Sequence, residues 1–309
     1  MKVKPDLGFI NAPSDRAASL RGNSKWLDQQ VNSPKSKVIA FIADRPVISV
    51  KSEALEIDFA KPSDVLPLIK QDDLILLHLS DNGNAVFAVQ LGEEHTDKFI
   101  TDDAKLIDLR SLAMQAVLPS KDLGALAQAR SLLSWHSFHR FCANCGVETI
   151  AADAGYRRDC KACERQHFPR VDPVVIMLIQ HGENFLMGRG HNFEENHFSA
   201  LAGFLEPGET IEAATRRETF EETGIEVGEV TYLISQPWPF PSTLMIGVIG
   251  QAITTEISAD PEEIAEALWF SFEEIRQMLV NKHPGGTTLP PPMSIAYQMM
   301  QRYLNDGVS

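Results

Sequence analysis

The sequence lacks any hydrophobic run that could cross a bilayer. Its longest apolar stretch, residues 174–179, is far shorter than the roughly 20 residues of a transmembrane helix. The amino-terminal residues MKVKPDLGFI contain no apolar core of a secretion signal, and the final residues DGVS carry no lipidation or peroxisomal signal. We therefore expect a cytoplasmic protein with no membrane partner. Its 309 residues suffice for two domains.

Positive charge and cysteine are both scarce. The chain has 28 Lys and Arg against 42 Asp and Glu, and its net charge of −14 argues against a general nucleic-acid binder. All four cysteines lie between residues 142 and 163. In a chain without a secretion signal, that clustering predicts metal ligands rather than disulfides.

The cysteines form two Cys-x2-Cys pairs separated by 14 residues: Cys142, Cys145, Cys160 and Cys163. Two such knuckles predict a closed four-thiolate site for structural Zn²⁺, with Gly146 supplying an unusual backbone conformation. A redox Cys-x2-Cys is the weaker alternative because it does not explain two pairs. His136 and His139 lie nearby, but four thiols already complete a tetrahedral site.

Basic residues are concentrated around the cysteines, in an otherwise acidic chain: Arg157, Arg158, Lys161, Arg165 and Arg170. The favoured interpretation is a solvated surface of the zinc ribbon. The alternative is a contact with an anion or with RNA.

An acidic segment, residues 203–225, contains six glutamates. If the segment is helical, Glu218, Glu221 and Glu222 share one face because they stand at positions i, i+3 and i+4. Repulsion among them predicts a bound cation, and oxygen ligands suit Mg²⁺ or Mn²⁺. Thr210 and Gly224 are the expected amino- and carboxy-terminal caps of this helix.

Strands alternate with helices over much of the chain. We expect strands or hairpins in 37–50, 74–79, 85–91, 174–180, 185–189, 198–203, 227–235 and 244–253, and helices in 122–140, 210–223, 271–280 and from 294. The buried stripe of the helix over 122–140 is predicted to include Leu126, Ala129 and Leu133. This order predicts an α/β fold, an α/β/α sandwich over a mixed sheet, preceded by a separate α+β domain.

Residues 235–245, SQPWPFPSTLM, interleave prolines with aromatic residues. We predict a rigid loop here, because proline interrupts helices and central strands. Trp238 and Phe240 make it either a packed surface loop or a stacking surface for a planar base.

Two motifs resemble a known family. The pattern G-x5-E-x7-R-E-x2-E-E-x-G in 203–224 resembles the Nudix hydrolase signature, and residues 235–243 resemble the fingerprint of NADH pyrophosphatases within it, with Thr243 in place of the usual Ser. The cysteine ribbon and Phe168-Pro169-Arg170 fit the same family. The resemblance implies an α+β domain over 1–130, a zinc ribbon over 139–168 and a Nudix domain over 169–309.

The resemblance also implies an activity: hydrolysis of NADH or NAD to nicotinamide mononucleotide and AMP, and removal of NAD caps from RNA 5′ ends, by a homodimer. Four residues are implied as catalytic and as ligands of Mg²⁺ or Mn²⁺: Glu218, Glu221, Glu222 and Glu263. Glu222 is expected to be indispensable, and which glutamate acts as general base stays open. The alternative is a catalytically inactive Nudix-type nucleotide-sensing or RNA-binding module, which usually has lost these glutamates.

The implied substrate-binding residues are Phe168, Phe204, Gln236, Trp238, Thr243, Met245 and Ala296. Phe204 and Trp238 would pack on the bases. Phe168 would reach the site of the partner subunit, with a ring but without the hydroxyl of the Tyr that relatives have. Arg217 is expected to orient the glutamates, and Glu209 to act as an outer group.

Overall fold

A computed structural model describes residues 7–51 and 54–306. None of the helices in this part of the chain combines the length and the apolar character needed to span a bilayer. The expectations for the termini rest largely on residues 1–6 and 307–309, outside the described residues. The described residues divide into an amino-terminal unit, 8–171 with 238–242, and a carboxy-terminal unit, residue 7 with 172–237 and 243–306. The three-domain division predicted above stays a prediction.

A seven-stranded sheet forms the centre of the amino-terminal unit. Its strands are β1 (Lys37–Ile42), β2 (Arg45–Ser49), β3 (Glu56–Ile57), β4 (Phe59–Ala60), β5 (Ile75–Leu79), β6 (Ala85–Leu91) and β7 (Ala104–Leu106). The order is β3-β2-β1-β6-β5, with β4 beside β1 and β7 beside β2. The predicted hairpins β1/β2 and β5/β6 are confirmed as antiparallel pairs, whereas β1 and β6 run parallel.

Five α-helices accompany this sheet: α1 (Ser24–Val31), α2 (Pro62–Val65), α3 (Thr96–Phe99), α4 (Leu109–Met114) and α5 (Ser120–Phe138). The predicted stripe Leu126, Ala129 and Leu133 on α5 is buried. Burial extends well beyond that stripe, to Leu123 and Ala127, because other parts of the unit also pack against the helix.

The ribbon follows α5 as three short antiparallel strands in the order β10-β9-β8. They are β8 (Ile150–Ala152), β9 (Arg157–Asp159) and β10 (Gln166–His167).

A six-stranded mixed sheet forms the carboxy-terminal unit. It comprises β11 (Asp172–His181), β12 (Asn184–Arg189), β13 (Leu201–Phe204), β14 (Val227–Trp238), β15 (Thr243–Ala252) and β16 (Glu266–Ser271), with helices α6 (Ile211–Thr223), α7 (Phe272–Leu279) and α8 (Ile295–Asp306). The order is β14-β15-β11-β12-β16, with β13 beside β11; β11 and β15 are parallel.

Alternation along β11 produces two cores. Val175, Met177 and Ile179 join a cluster with Ala214 of α6, whereas Ile176 and Leu178 join a cluster with residues of α7 and α8. Successive strand residues point to opposite faces, so helices cover both sides of the sheet. The predicted α/β/α sandwich is confirmed.

Three local predictions were wrong or incomplete. The strand predicted over 198–203 begins only at Leu201, and β16 was not predicted. The rigid loop predicted over 235–245 is shorter, because β14 continues to Trp238 and β15 begins at Thr243. Pro237 is tolerated because β14 lies at the edge of the sheet, where a missing N–H removes little from the ladder.

Candidate active site and zinc site

Local capping fixes the ends of α6, the glutamate helix. The Thr210 hydroxyl accepts a hydrogen bond from the Ala213 N–H at 3.2 Å. Gly224 adopts a left-handed φ of 71°, and its N–H donates to the Phe220 carbonyl at 2.8 Å. Both predicted caps are confirmed, and α6 therefore presents its glutamates in a fixed register.

The buried face of α6 is lined by threonines rather than by large aliphatic residues. The hydroxyls of Thr215, Thr219 and Thr223 each donate to the carbonyl four residues earlier, at 2.8, 2.7 and 2.6 Å. Because each hydroxyl is satisfied within the helix, these side chains can be fully buried without an unpaired polar group.

Arg217 connects three of the glutamates. Its guanidinium donates to both carboxylate oxygens of Glu209 at 2.7 and 2.8 Å, and to Glu218 and Glu221 at 2.9 Å each. It also donates to the Phe204 carbonyl at 2.9 Å. The hydrogen bonds from Arg217 lower the pKa of Glu209 to about 2. These contacts are those expected of a group that orients the glutamates.

Glu222 is the most deeply placed of the carboxylates, with 9% of its surface exposed. Burial, followed by repulsion from Glu218, Glu263 and Glu221, raises its pKa to about 8. Within the described part of the chain, its buried Oε2 has no hydrogen-bond partner. Burial also raises the pKa of Glu218, despite the contact with Arg217.

The segment that carries Glu263 is attached to the end of α6. The Ser258 N–H donates to the Thr223 carbonyl at 2.8 Å, and the Asp260 N–H donates to the Glu222 carbonyl at 3.0 Å. Repulsion from Glu263 contributes to the raised pKa of both Glu218 and Glu222, so its charge acts on both carboxylates. The structure thus places Glu218, Glu221 and Glu222 on one helix, and the assignment of all four residues as metal ligands stays a prediction.

This donor set fits a divalent cation. It offers hard carboxylate oxygens, one of them buried and unpartnered, and mutual repulsion that a cation removes. Gly203 contributes space, because a Cβ at this position would overlap the Glu218 carboxylate.

The residues predicted to bind the bases differ in their exposure to solvent. Phe168 and Phe204 are 61% and 60% exposed, whereas Trp238, Thr243 and Met245 are half-buried. Two further positions are buried. Ala296, in the first turn of α8, belongs to a core cluster. The Gln236 amide donates to the Met293 carbonyl and accepts from the Ile295 N–H, each at 2.9 Å. Their assignments to substrate stay predictions.

The four cysteines converge as predicted. Their Sγ atoms all lie within 4.8 Å of one another, and the closest pairs, Cys142–Cys163 and Cys145–Cys160, are 3.6 and 3.5 Å apart. A tetrahedral site with Zn–S bonds of about 2.3 Å requires S–S distances of about 3.8 Å, so the set fits structural Zn²⁺.

The two knuckles have the same backbone design. Gly146 and Glu164 both have positive φ, 74° and 60°, and their N–H groups donate to the carbonyls of Cys142 and Cys160 at 2.9 Å. The unusual conformation predicted for Gly146 is confirmed. His167, which the sequence analysis missed, lies with Nε2 3.3 Å from the Cys142 sulfur. Its position next to the second knuckle was the available signal.

The basic stretch around the ribbon is largely paired within the chain. Arg157 donates to both carboxylate oxygens of Asp159 and to Asp153. Arg158 is 8% exposed and bonds Thr149 and His136. The favoured interpretation of a solvated surface is therefore wrong for Arg158, and the guanidinium groups of both arginines serve the fold. The alternative, a contact of the ribbon with RNA, stays a prediction. Lys161, Arg165 and Arg170 are exposed.

Comparison with known proteins agrees with this architecture. Three family models match the chain: a NUDIX domain over 169–288, an NADH pyrophosphatase-like rudimentary NUDIX domain over 35–135, and an NADH pyrophosphatase zinc ribbon domain over 138–168. The chain belongs to the Nudix family, in the group with an NADH pyrophosphatase-like domain and a zinc ribbon.

Among its relatives, the NAD-capped RNA hydrolase of Schizosaccharomyces pombe is 30% identical and covers 99% of this chain and 95% of its own. The mitochondrial NAD(P)H pyrophosphatase NUDT13 of Homo sapiens is 34% identical, over 75% of this chain and 72% of its own. The NAD-capped RNA hydrolase NUDT12 of Homo sapiens is 45% identical over 60% of this chain, which spans only 43% of NUDT12.

Proposed function

We propose that this chain hydrolyses the pyrophosphate of NADH or NAD, giving AMP and the corresponding nicotinamide mononucleotide, and that it removes NAD caps from RNA 5′ ends. The observation that carries the proposal is the raised pKa of Glu222 on α6, caused by burial and by repulsion from Glu218, Glu263 and Glu221, together with a buried Oε2 on Glu222 that has no hydrogen-bond partner among the described residues. The names of the relatives support the choice of substrate.

In this proposal the four glutamates hold Mg²⁺ or Mn²⁺, while Arg217 keeps Glu209, Glu218 and Glu221 in place. Held by these carboxylates, the cation would neutralise charge on the pyrophosphate and make the attacking water more acidic. Glu222 is the residue on which activity depends most, because its carboxylate is buried among the others and has the fewest alternative partners.

Recognition of the bases is assigned to aromatic side chains. Phe204 follows Gly203 at the end of β13 and is exposed, so its ring is available for stacking. Trp238 at the end of β14 is a second surface. Gln236 acts through the backbone it bonds, by holding residues 293–295 in front of α8, which carries Ala296. Thr243 and Met245 begin β15 and complete the proposed set.

We further propose a homodimer in which Phe168 reaches the site of the partner subunit. The support is an excess of exposed apolar side chains between residues 138 and 171: Phe138, Phe141, Val147, Ile150, Phe168 and Val171. Sedimentation of the intact chain tests the dimer. The cytoplasmic location stays a prediction, since mitochondrial and chloroplastic proteins are among the relatives.

The direct test is product analysis. The zinc-loaded chain is incubated with NADH, NAD or an NAD-capped transcript and Mg²⁺ or Mn²⁺. We expect AMP and the mononucleotide from the free dinucleotides, and a 5′-monophosphate transcript from the capped RNA. An inactive sensing or binding module would yield no product from any of the three, and that outcome would refute the proposal.

A further inference from the structure

The five residues at the centre of the aromatic loop, Trp238–Ser242, belong to the amino-terminal unit. Phe9, which is 1% exposed, meets the rings of Trp238 and Phe240 edge-on, with centroids 6.0 Å away in both cases. The Trp238 and Phe240 rings also meet each other at 5.2 Å. Three aromatic rings from two distant parts of the sequence therefore form one cluster.

Helix α5 holds the backbone of this loop on both sides of Phe240. Arg130 Nε donates to the Pro239 carbonyl at 3.0 Å, and the neighbouring Ser131 hydroxyl donates to the Pro241 carbonyl at 2.9 Å. The Arg130 guanidinium carbon also lies 5.3 Å from the centre of the Phe240 ring. A single side chain thus contributes a charged hydrogen bond and a cation–π contact to the loop.

Helix α4 supplies a second guanidinium. Arg110 lies 4.9 Å from the Phe240 ring and 5.4 Å from the Trp238 ring. Unlike Arg130, Arg110 is exposed, and among the described residues it meets the loop through the two rings rather than through a hydrogen bond to the backbone. Arg130 is therefore the stronger anchor of the two.

The chain segment that carries Phe9 is itself fixed on α5. Asn11 Nδ2 donates to the Ser120 hydroxyl at 2.7 Å. The backbone of Asn11 and Ala12 passes so close to Gly124 that any Cβ there would overlap it. This close approach explains a glycine in the middle of a buried helix, where the residue is otherwise unfavourable. Helix α5 thus carries Arg130 and Ser131 and also holds the segment that contains Phe9.

We propose that Arg130 is a positioning residue for substrate: it fixes residues 239–241 so that Trp238 is held in one orientation for a base of the dinucleotide. This inference rests on the proposed function. If the loop were not held in place, it would have to become ordered when substrate binds, and the loss of conformational entropy would weaken substrate affinity.

The first test is kinetic and uses the full zinc-loaded chain. Arg130→Ala removes the hydrogen bond to the Pro239 carbonyl, the cation–π contact with Phe240 and a hydrogen bond to the Asp44 carbonyl. It should raise KM for NADH at least about tenfold, while kcat changes less than about twofold. Arg130→Lys keeps the cation near Phe240 and should recover part of the affinity. Arg45→Ala, which removes an exposed arginine from β2 of the same unit, is the matched control and should leave KM unchanged. An unchanged KM in folded Arg130→Ala would overturn the proposal. A tenfold fall of kcat with KM unchanged would also overturn it.

The second test does not depend on turnover. Deuterium uptake measured by mass spectrometry should increase in the peptide covering 235–245 in Arg130→Ala, and should stay unchanged in the peptide covering 211–224. Equal uptake in the loop of wild type and variant would overturn the positioning role. If the wild type does not hydrolyse NADH, the proposed function fails, and the exchange result alone decides whether Arg130 holds the loop.

Discussion

The amino-terminal sheet contains the six-stranded arrangement of the carboxy-terminal sheet plus one extra strand, β3, and the two sheets differ in the helix that follows one pair of corresponding strands. In the carboxy-terminal unit, β11 lies between β15 and β12, with β13 beside it and β16 beside β12. In the amino-terminal unit, β1 lies between β6 and β2, with β4 beside it and β7 beside β2. The parallel pairs, β11/β15 and β1/β6, occupy the same place in each. The match of residues 35–135 to a rudimentary NUDIX domain agrees with this correspondence.

The difference follows the strands β13 and β4. After β13 comes α6, with 13 residues and its glutamates at i, i+3 and i+4. After β4 comes α2, with four residues, starting at Pro62. Its acidic residue, Asp64, accepts the Lys61 N–H at 3.1 Å and thereby caps the helix. One turn of helix cannot stack three carboxylates, so the shared strand arrangement carries the proposed glutamate metal site after β13 and no such site after β4.

The largest effect on activity is expected from removing a carboxylate of α6, because the corresponding helix of the amino-terminal unit, α2, lacks that carboxylate cluster. Glu222→Gln keeps the shape of the side chain but removes the central ligand charge, and should lower kcat for NADH by roughly 10³-fold. Asp64→Asn, the matched control on α2, should leave kcat unchanged. Steady-state AMP release measures both. Equal activity of Glu222→Gln and wild type would break the comparison.

An intermediate effect concerns stability and pH. The folded pKa of Glu222 is about 8, against 4.5 as the ordinary value. A raised carboxyl pKa means that the folded state binds the proton more tightly, so its contribution to stability is full below pH 4.5 and is lost as pH rises through about 8. Without added Mg²⁺ or Mn²⁺, Glu222→Gln should therefore unfold at a higher temperature than wild type at pH 8, by on the order of 5 °C.

In the amino-terminal unit, burial shifts the pKa of a histidine downward, whereas it shifts the pKa of Glu222 upward. Burial, with Lys121 and Arg16, lowers the pKa of His78 on β5 to about 4 from 6.5. The stability that comes from the neutral imidazole is present above pH 6.5 and is lost as pH falls through about 4.

The pH dependence of unfolding tests the raised pKa of Glu222. Between pH 5 and 8, the unfolding temperatures of wild type and Glu222→Gln should differ increasingly toward the alkaline side. If the two unfolding temperatures differed by the same amount at every pH in that range, the raised pKa could not belong to Glu222.

The smallest effect is expected at the ribbon. Arg157 and Arg158 are bonded within the chain, so substituting them tests folding rather than RNA binding. The exposed residues Lys161 and Arg165 are the appropriate probes. If the ribbon contacts RNA, the double substitution of both by Ala should slow hydrolysis of NAD-capped RNA a fewfold at low salt, and leave hydrolysis of NADH unchanged. Parallel changes for both substrates would exclude a specific RNA contact.

The acidic helix was predictable because its signals are local. Thr210, Gly224 and the spacing of Glu218, Glu221 and Glu222 all lie within 15 residues, and each acts through backbone geometry of the same helix. The zinc knuckles were predictable for the same reason, with Gly146 in the expected conformation.

What the sequence could not provide depends on contacts between distant residues. The parallel pairing of β1 with β6 joins residues 49 positions apart, such as Lys37 and Val86, and no local pattern specifies it. The pairing of Arg157 with Asp159 and Asp153 depends on how the ribbon strands fold. Pro237 argued against a strand until its edge position was known. The contact of Arg130 with the loop carbonyl at Pro239 spans 109 positions.

The central claim is that the acidic helix α6 creates the metal site that the amino-terminal sheet lacks. Titration of Mn²⁺ into the zinc-loaded chain, followed by electron paramagnetic resonance, tests it most directly. Tight Mn²⁺ binding should be present in wild type and in Asp64→Asn, and absent in the double variant Glu218→Gln with Glu222→Gln. Tight binding that persists in the double variant, or that disappears in Asp64→Asn, would contradict it.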